Sequence, residues 1–269
     1  MKIKELFLIL VGLIISIQSN ALIRLDGIEY SILDESKLTA SIDRVKDCSQ
    51  FTIPESIKIG NKEYKITEIG DSAFFSCSSL TTLTIPNSVT KIGKYAFSEC
   101  SSLTTLMIPN SVTTIDKYAF ARCTSLTSIT LPNNLTEIAV GLLSGCENLT
   151  SVTIPDKVKV IESAAFFECA GLKSITIPNS VTKIGGYAFF CSGLNSITLP
   201  KSLNEVTDNA FQGCESLKTI KIENPKLKID GNPFRSCYNI ETIIAPPDII
   251  EELPEHMAIF NKNIIPYTE

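Results

Sequence analysis

Apolar and polar residues alternate over short segments of this chain, and the alternation predicts β-strands. Residues 80–85 read LTTLTI, so that Leu83 and Ile85 point to one face and the intervening threonine to the other, which is the period of a half-buried strand. Pro86 has no N–H to donate and ends the strand, and Asn87-Ser88 turns the chain. Residues 89–92 form a second, shorter extended segment. Residues 94–100 are too few for a free helix, and we predict a single helical or 3₁₀ turn there, held by packing.

This arrangement is repeated every 23 residues. Residues 69–91 return as 92–114, 115–137, 138–160 and 161–183, and then in looser form to about residue 245. A fixed period in this range is typical of a solenoid, in which each repeat buries its apolar face against its neighbours. We therefore predict a mainly β solenoid of about eight repeats with short helical or 3₁₀ turns.

Stacking the repeats places equivalent side chains in columns, where a column is one position of the repeat followed through successive copies. The phenylalanine column contains Phe74, Phe97, Phe120, Leu143, Phe166, Phe189, Phe211 and Phe234. The leucine column contains Leu80, Leu103, Leu126, Leu149, Leu172, Leu194, Leu217 and Ile240. The isoleucine column contains Ile69, Ile92, Ile115, Ile138, Ile161, Ile184, Val206 and Ile229. We expect these three columns to form the core.

The ends of the chain depart from the repeat and predict caps. Residues 22–48 contain the hairpin signal Asp26-Gly27 and a third extended segment, which predict an N-terminal β-meander cap. The solenoid is assigned to residues 49–245, and nine extra residues around Gly60-Asn61 predict a small hairpin inserted into its first coil. Residues 246–269 are assigned to a C-terminal cap that is irregular or helical over 248–260, with 264–267 covering the last repeat.

Residues 1–21 have the layout of a secretory signal peptide. Lys2 and Lys4 precede an apolar run at 6–17, and Ser19-Asn20-Ala21 supplies small residues at a cleavage site. An uncleaved membrane anchor is the alternative, but the apolar run is short for a membrane span. We therefore expect a secreted or cell-surface protein with no membrane insertion after signal cleavage.

Nine cysteines in an exported chain ordinarily indicate a disulfide framework. Eight of them recur at what is interpreted as one position of the repeat, the cysteine column: Cys77, Cys100, Cys123, Cys146, Cys169, Cys191, Cys214 and Cys237. Because free cysteine packs as a small buried hydrophobe, this regularity favours buried thiols. Bridges between neighbouring copies remain the alternative, subject to the strict geometry of a disulfide.

The candidate chemistry of the chain is sparse, and we predict that it is not an enzyme. His256 is the only histidine, which argues against a Ser-His-Asp triad and an HExxH zinc site. The sequence has no C-x-x-C pair, calcium loop or phosphate-binding glycine loop, so no metal and no cofactor is expected. A formal net charge of −5 without a basic block argues against nucleic acid and anionic membranes as partners.

The residues that flank the second leucine of each strand are predicted to point away from the core. They form two columns of mostly threonine and serine on the concave sheet, and we name this set the hydroxyl face: Thr82, Thr84, Thr105, Met107, Ser128, Thr130, Ser151, Thr153, Ser174, Thr176, Ser196, Thr198, Thr219 and Lys221. Threonine also suits exposed strand positions by propensity alone, so the pattern by itself does not require a ligand. Met107 and Lys221 interrupt the hydroxyls and are the better candidates for specific contacts.

The repeats resemble the 23-residue leucine-rich repeats of the Bacteroides surface protein A type, also called treponemal-type repeats. The resemblance rests on L-x-x-L-x-I-P-x-x-V-x-x-I-x-x-x-A-F-x-x-C, seen in residues 80–100, and it covers about residues 50–245. Leu142-Leu143 in place of Ala-Phe, and the missing proline after Ile222, depart from it. The resemblance implies a leucine-rich-repeat solenoid, exposed on cell surfaces or secreted, with members implicated in adhesion to host proteins.

Taken together, these features predict a non-catalytic secreted or cell-surface adhesion protein that recognises extracellular or host-surface proteins through the solenoid. A glycan-binding surface protein is the alternative, weakened by the absence of tryptophan from the sequence. A third interpretation treats the T-x-T rows as a face that matches ice or another lattice, which a curved sheet would match poorly.

Overall fold

The structure is a computed structural model that describes residues 22–46, 48, 51–252 and 263–267. The predicted signal peptide, His256 and half of the predicted C-terminal cap lie outside these residues. Within them the chain is mainly β, with strands at nearly regular intervals that stack in parallel onto their counterparts in the next repeat. The predicted solenoid is confirmed.

The N-terminal cap is a three-stranded meander, as predicted. Strands β1 (Leu22–Leu25), β2 (Ile28–Asp34) and β3 (Thr39–Val45) pair antiparallel in order. Asp26 and Gly27 have φ of 50° and 82°, as the turn of a two-residue hairpin requires. β3 then pairs in parallel with β5, so the meander continues the sheet of the solenoid and covers its first coil.

The predicted insertion in the first coil is a hairpin of β4 (Ser56–Ile59) and β5 (Lys62–Ile69), which pair antiparallel. Gly60 begins the turn with φ of 61°, a conformation that glycine adopts without a steric cost. Beyond the hairpin, β5 continues into the first regular repeat.

The repeats build two series of parallel strands, one on each side of the core. The first series contains two-residue strands: β6 (Lys91–Ile92), β8 (Thr114–Ile115), β10 (Glu137–Ile138), β12 (Val160–Ile161), β13 (Lys183–Ile184), β15 (Glu205–Val206) and β17 (Lys228–Ile229). The second series contains β7 (Thr105–Met107), β9 (Ser128–Thr130), β11 (Ser151–Val152), β14 (Ser196–Leu199), β16 (Thr219–Ile222), β18 (Thr242–Ala245) and β19 (Asn263–Pro266). Residues 80–85 and 172–177 of the second series form no strand, so this side comprises a three-stranded and a four-stranded sheet.

The three predicted columns form the core. Every member is buried except Ile229, which is partly buried. The phenylalanine rings stack on one another, with centroids 4.9 Å apart between Phe74 and Phe97 and 5.1 Å apart between Phe211 and Phe234. Leu143 interrupts the stack but is itself fully buried. The core is therefore continuous along the solenoid axis.

The segment between the short strand and the cysteine differs from the predicted helical or 3₁₀ turn. Residues 94–99 form consecutive turns, in which Tyr95 and Glu99 have φ of 55° and 63°. These left-handed residues direct alternate N–H groups out of the coil, so that Tyr95 and Phe97 donate to Lys117 and Ala119 of the next repeat at 3.1 and 2.8 Å. A helix would have kept those bonds within the segment, whereas here they tie neighbouring repeats together.

Two members of the predicted cysteine column do not behave as predicted. Cys77 forms a disulfide with Cys48, which ties the first regular repeat to the segment that follows the meander. Cys191 lies beside the column and is partly exposed, while Ser192, 23 residues after Cys169, takes the buried position against the Cys214 sulfur at 3.3 Å. The other six members are buried thiols, as expected.

Removal of the Cys48–Cys77 disulfide will destabilise the N-terminal end of the solenoid. The bond closes a loop between residues 29 apart, and on the chain-entropy account a loop of this size contributes about 3–4 kcal/mol. We expect the Cys48→Ala/Cys77→Ala variant to lose about this much in urea unfolding, and Cys191→Ala, which breaks no disulfide, to lose far less. Equal stabilities of the two variants would contradict the assignment.

The C-terminal end adds two strands and a short helix. β18 continues the second series, helix α1 (Pro247–Glu252) follows it, and β19 pairs in parallel with β18. Residues 264–266 thus extend the sheet as a further strand, beyond the predicted covering of the last repeat. The remainder of the predicted cap, residues 253–262, lies outside the described residues.

Candidate functional site

The hydroxyl face is exposed where the sequence places it. Along β7 the exposed Thr105 and Met107 flank the buried Leu106, and the same alternation recurs in the other copies. Eleven of its fourteen members are exposed, and Ser128, Thr219 and Lys221 are half-buried. The alternation follows from strand geometry, because successive side chains point to opposite faces of a sheet.

The parallel registers bring these side chains together in two blocks. In the first block Thr105 lies beside Ser128 and Met107 beside Thr130, and β11 places Ser151 beside Ser128. In the second block Ser196 lies beside Thr219, and Thr198 beside Lys221. Thr82 and Thr84, and likewise Ser174 and Thr176, are exposed but lie in the copies that form no strand.

The structure adds members of the face that the sequence prediction missed. Thr242 and Ile244 of β18 stand beside Thr219 and Lys221, and Asn263 and Ile265 of β19 stand beside them in turn. Thr242 and Ile244 lie 23 residues after Thr219 and Lys221, so the repeat interval was a signal for the first pair. Asn263 and Ile265 follow a segment that departs from the repeat, so their alignment with β18 could not be obtained by counting residues along the period.

The hydroxyls of the face differ from a neighbouring row of threonines in what they bond. Thr104, Thr127 and Thr150 donate their hydroxyls to carbonyl oxygens of the preceding repeat at 3.4, 3.1 and 3.1 Å. Across the part of the chain that the structure describes, none of the twelve threonine and serine hydroxyls of the face bonds another protein group. These hydroxyls are exposed or partly exposed, and their capacity to donate and accept hydrogen bonds is unused within the protein. They are therefore available to a ligand.

Lys221 supplies the positive charge of the face, and that charge is already offset. Its Nζ atom donates to Glu223 at 2.7 Å and lies 4.9 Å from the centre of the Tyr267 ring. The hydrogen bond to Glu223 raises the pKa of Lys221. Lys221 is therefore held in place rather than extended into solvent, which favours a positioning contact over long-range attraction.

A depression of about 300 Å³ lies between β9 and β11, within the first block. Hydroxyl-face members Ser128, Thr130, Ser151 and Thr153 line it, together with residues that include Asn133 and Pro155. Met107, which is 72% exposed, stands beside Thr130 in the sheet register. This block therefore combines a concave site, free hydroxyls and an exposed apolar side chain.

The opposite series of short strands carries charge pairs in the positions equivalent to the hydroxyls. Lys91 and Glu68 approach to 3.1 Å, and Lys183 and Glu205 to 3.0 Å, each pair joining adjacent repeats. Such partly exposed pairs are solvated and contribute little individually. The two sides of the solenoid thus differ in chemistry, since one carries these charge pairs and the other is rich in hydroxyls without a protein partner.

The described residues contain no cluster of three or more histidine, cysteine, aspartate or glutamate side chains that could hold a metal ion. Burial raises the pKa of Cys146 to about 12 and that of Cys169 well above its usual range, and a hydrogen bond with Cys100 together with burial does the same for Cys123. These thiols stay protonated and unreactive near neutral pH. No helix within the same residues is long and apolar enough to cross a bilayer.

Comparison with known sequences places the repeats in a described family. The BspA type leucine rich repeat region, which comprises six copies of the repeat, matches residues 45–170 and again residues 140–263. No curated protein matches the sequence. The match covers more than half of the chain and includes the predicted hydroxyl face.

Solved structures of bacterial proteins share the fold. A leucine-rich repeat protein from Bacteroides ovatus is 28% identical with a TM-score of 0.54, over 83% of this chain and 70% of that one. A leucine rich cell surface protein from Faecalibacterium prausnitzii is 23% identical with a TM-score of 0.57, over 94% and 96%. The leucine rich repeat protein of T. pallidum is 23% identical with a TM-score of 0.56, over 92% and 100%.

Proposed function

The chain belongs to the BspA-type leucine-rich repeat family, and from that premise we propose that it is a non-catalytic, exported binding protein whose hydroxyl face recognises other proteins. Twelve hydroxyls without a protein partner, seven of them on paired parallel strands, carry this proposal. Such groups can bond main-chain amides and carbonyls of a partner without first breaking an internal bond. The paired charges on the opposite side of the solenoid lack this availability.

A protein partner suits this surface better than a glycan. Sugar-binding surfaces commonly use an exposed aromatic ring as a platform for the sugar, and the fourteen members of the hydroxyl face are threonine, serine, methionine and lysine, with no aromatic ring among them. Met107 offers a flexible apolar contact of the kind that adapts to protein side chains. These features favour a protein over a glycan as the ligand, and saturable binding to glycans on an array would contradict that assignment.

Export to an oxidising compartment agrees with several features of the chain. Residues 1–21 have a signal-peptide layout, and the Cys48–Cys77 disulfide is typical of proteins outside the cytosol. One relative of the same fold is described as a cell surface protein. We therefore propose that the mature protein is secreted or displayed on the cell surface.

A matched pair of lysine substitutions tests the proposed face. Thr130→Lys places a charged side chain on the hydroxyl face, whereas Thr114→Lys makes the same change at an exposed position of the opposite strands. A buried, unpaired charge weakens an interface strongly, so we expect Thr130→Lys to lower affinity by about tenfold or more. The full chain is used as bait in a pull-down against purified host extracellular proteins, followed by titration.

The control defines the contradicting result. If a protein binds saturably and both variants bind it as tightly as the wild type, the hydroxyl face is not the contact surface. If Thr114→Lys alone abolishes binding, the short-strand side takes that role. Absence of saturable binding to every protein in the panel would count against the proposed function itself.

A further inference from the structure

The depression between β9 and β11 differs from the rest of the hydroxyl face in shape. It has a volume of about 300 Å³, within the range of small binding pockets. Four of its eight lining residues lie in β9 and β11, which backbone hydrogen bonds hold in parallel register. Binding energy in protein interfaces concentrates in such concave, central sites.

On the basis of this geometry, and resting on the proposed protein-binding function, we propose that the depression is the principal contact site and takes an uncharged peptide segment. That segment would place an aliphatic side chain against Met107 and Pro155. Its main-chain amide groups would bond to the free hydroxyls of Thr130 and Thr153. The remainder of the hydroxyl face would then contribute shape and weaker polar contacts.

The lining of the depression carries no charge, which disfavours a charged occupant. All the residues that line the depression are uncharged. A charged group in the site would lose its hydration without gaining an ionic partner, which costs more than a neutral group loses. A neutral peptide meets no such cost, because a hydroxyl both donates and accepts and can therefore bond its amide N–H and carbonyl groups.

Met107 adds an exposed apolar side chain next to the site and also provides a reporter. Its side chain is 72% exposed, and it stands beside Thr130, which lines the depression. A thioether side chain fills irregular gaps and adapts to the shape of its partner. The chain contains three methionines, Met1, Met107 and Met257, so a methyl-labelled protein gives at most three methionine signals, and Met107→Leu identifies the relevant one.

The test is a titration of the full, methionine-methyl-labelled chain with acetyl-Ala-Leu-Ala-amide, followed by NMR. We expect a saturable shift of the Met107 methyl signal. Acetyl-Ala-Glu-Ala-amide is expected to bind about tenfold more weakly, because its carboxylate finds no partner. Glucose at the same concentrations is expected to leave the Met107 signal unchanged.

A matched pair of variants locates the binding. Ser151→Lys fills the depression and is expected to abolish the shift, whereas Ser196→Lys, the same change on the second block of the face, is expected to preserve it. No saturable shift, an equal response to both peptides, or an unchanged shift in Ser151→Lys would overturn the inference. If Thr198→Lys, a change on the hydroxyl face outside the depression, weakens capture of a protein in that case, the proposed function stands without this site.

Discussion

Replacement of Phe189 by alanine will lower the free energy of unfolding by about 3–5 kcal/mol. Phe189 is fully buried and stacks on Phe166 and on Phe211, each at a centroid distance of 5.1 Å. Removal of the ring therefore opens a cavity between two neighbouring repeats. The loss is measurable by urea unfolding followed by circular dichroism.

Phe189→Leu is the matched control, because Leu143 occupies the same column and is fully buried in the wild type. Leucine retains most of the apolar contact and is expected to cost about half as much as alanine or less. An alanine variant within about 1 kcal/mol of the wild type would show that the stack is not a source of stability. Because each repeat contacts only its neighbours, a reduced denaturant slope would indicate that the solenoid has split at this position.

Stability will fall steeply above about pH 9, because buried thiols must stay protonated in the folded state. The pKa values of Cys123, Cys146 and Cys169 are raised in the folded chain, that of Cys146 to about 12, whereas an unfolded thiol titrates near about 8.5. Their stabilising contribution is complete below the unfolded value and is lost as pH rises toward the folded value. Three thiols give a slope of about 4 kcal/mol per pH unit in this range.

Serine substitution separates the thiols from other groups that titrate at high pH. Ser192 shows that serine is accommodated in the buried column. Cys146→Ser removes one titrating group, so we expect the slope between about pH 9 and 11 to fall by about 1.4 kcal/mol per pH unit. Urea unfolding across that range measures it. An unchanged slope in Cys146→Ser would show that this thiol is not linked to folding.

The fold was predictable from the sequence because one period governs both local structure and packing. Each column repeats at the same interval, so recognition of residues 69–91 as the unit placed Phe, Leu and Ile in the core together. The meander and the inserted hairpin were predictable as well, because both depart from the period and contain turn residues such as Asp26-Gly27. Each position of the repeat occurs in several copies, so its place in the core or on the surface could be inferred from all of them together.

The cysteines show where the period misleads. Matching by residue type assigned Cys191 to the cysteine column. The interval from Cys169 to Cys214 is one residue shorter than two repeats, and the missing residue lies after Ser192. Ser192 therefore keeps the 23-residue spacing from Cys169 and takes the buried position. Cys48 precedes the repeats and has no copy to be compared with. Its pairing with Cys77 depends on the path of the chain between the meander and the first coil, which no local pattern encodes.

The sequence predicted which side chains of the candidate site are exposed, but not which of their hydroxyls lack a hydrogen bond to the protein. Alternation predicted which side of each strand is exposed, and the burial pattern agrees with it. Thr104 and Thr105 are both exposed threonines of one repeat, and the sequence cannot distinguish them. The difference between their hydroxyls arises only when the repeat is stacked in register on the preceding one, because Thr104 then donates to the carbonyl oxygen of Thr81 and Thr105 bonds no protein group. Whether the free hydroxyls bind a partner remains a proposal.

Hydroxyl-radical footprinting of a complex with a protein captured in the pull-down tests the proposed binding face most directly. Met107 on the hydroxyl face is 72% exposed, and Tyr238 and Phe75, which lie in the turn segments, are 65% and 48% exposed. We predict that binding slows oxidation of Met107 while the oxidation rates of Tyr238 and Phe75 stay unchanged. Protection of Tyr238 or Phe75 with Met107 still fully reactive would contradict the assignment of the hydroxyl face.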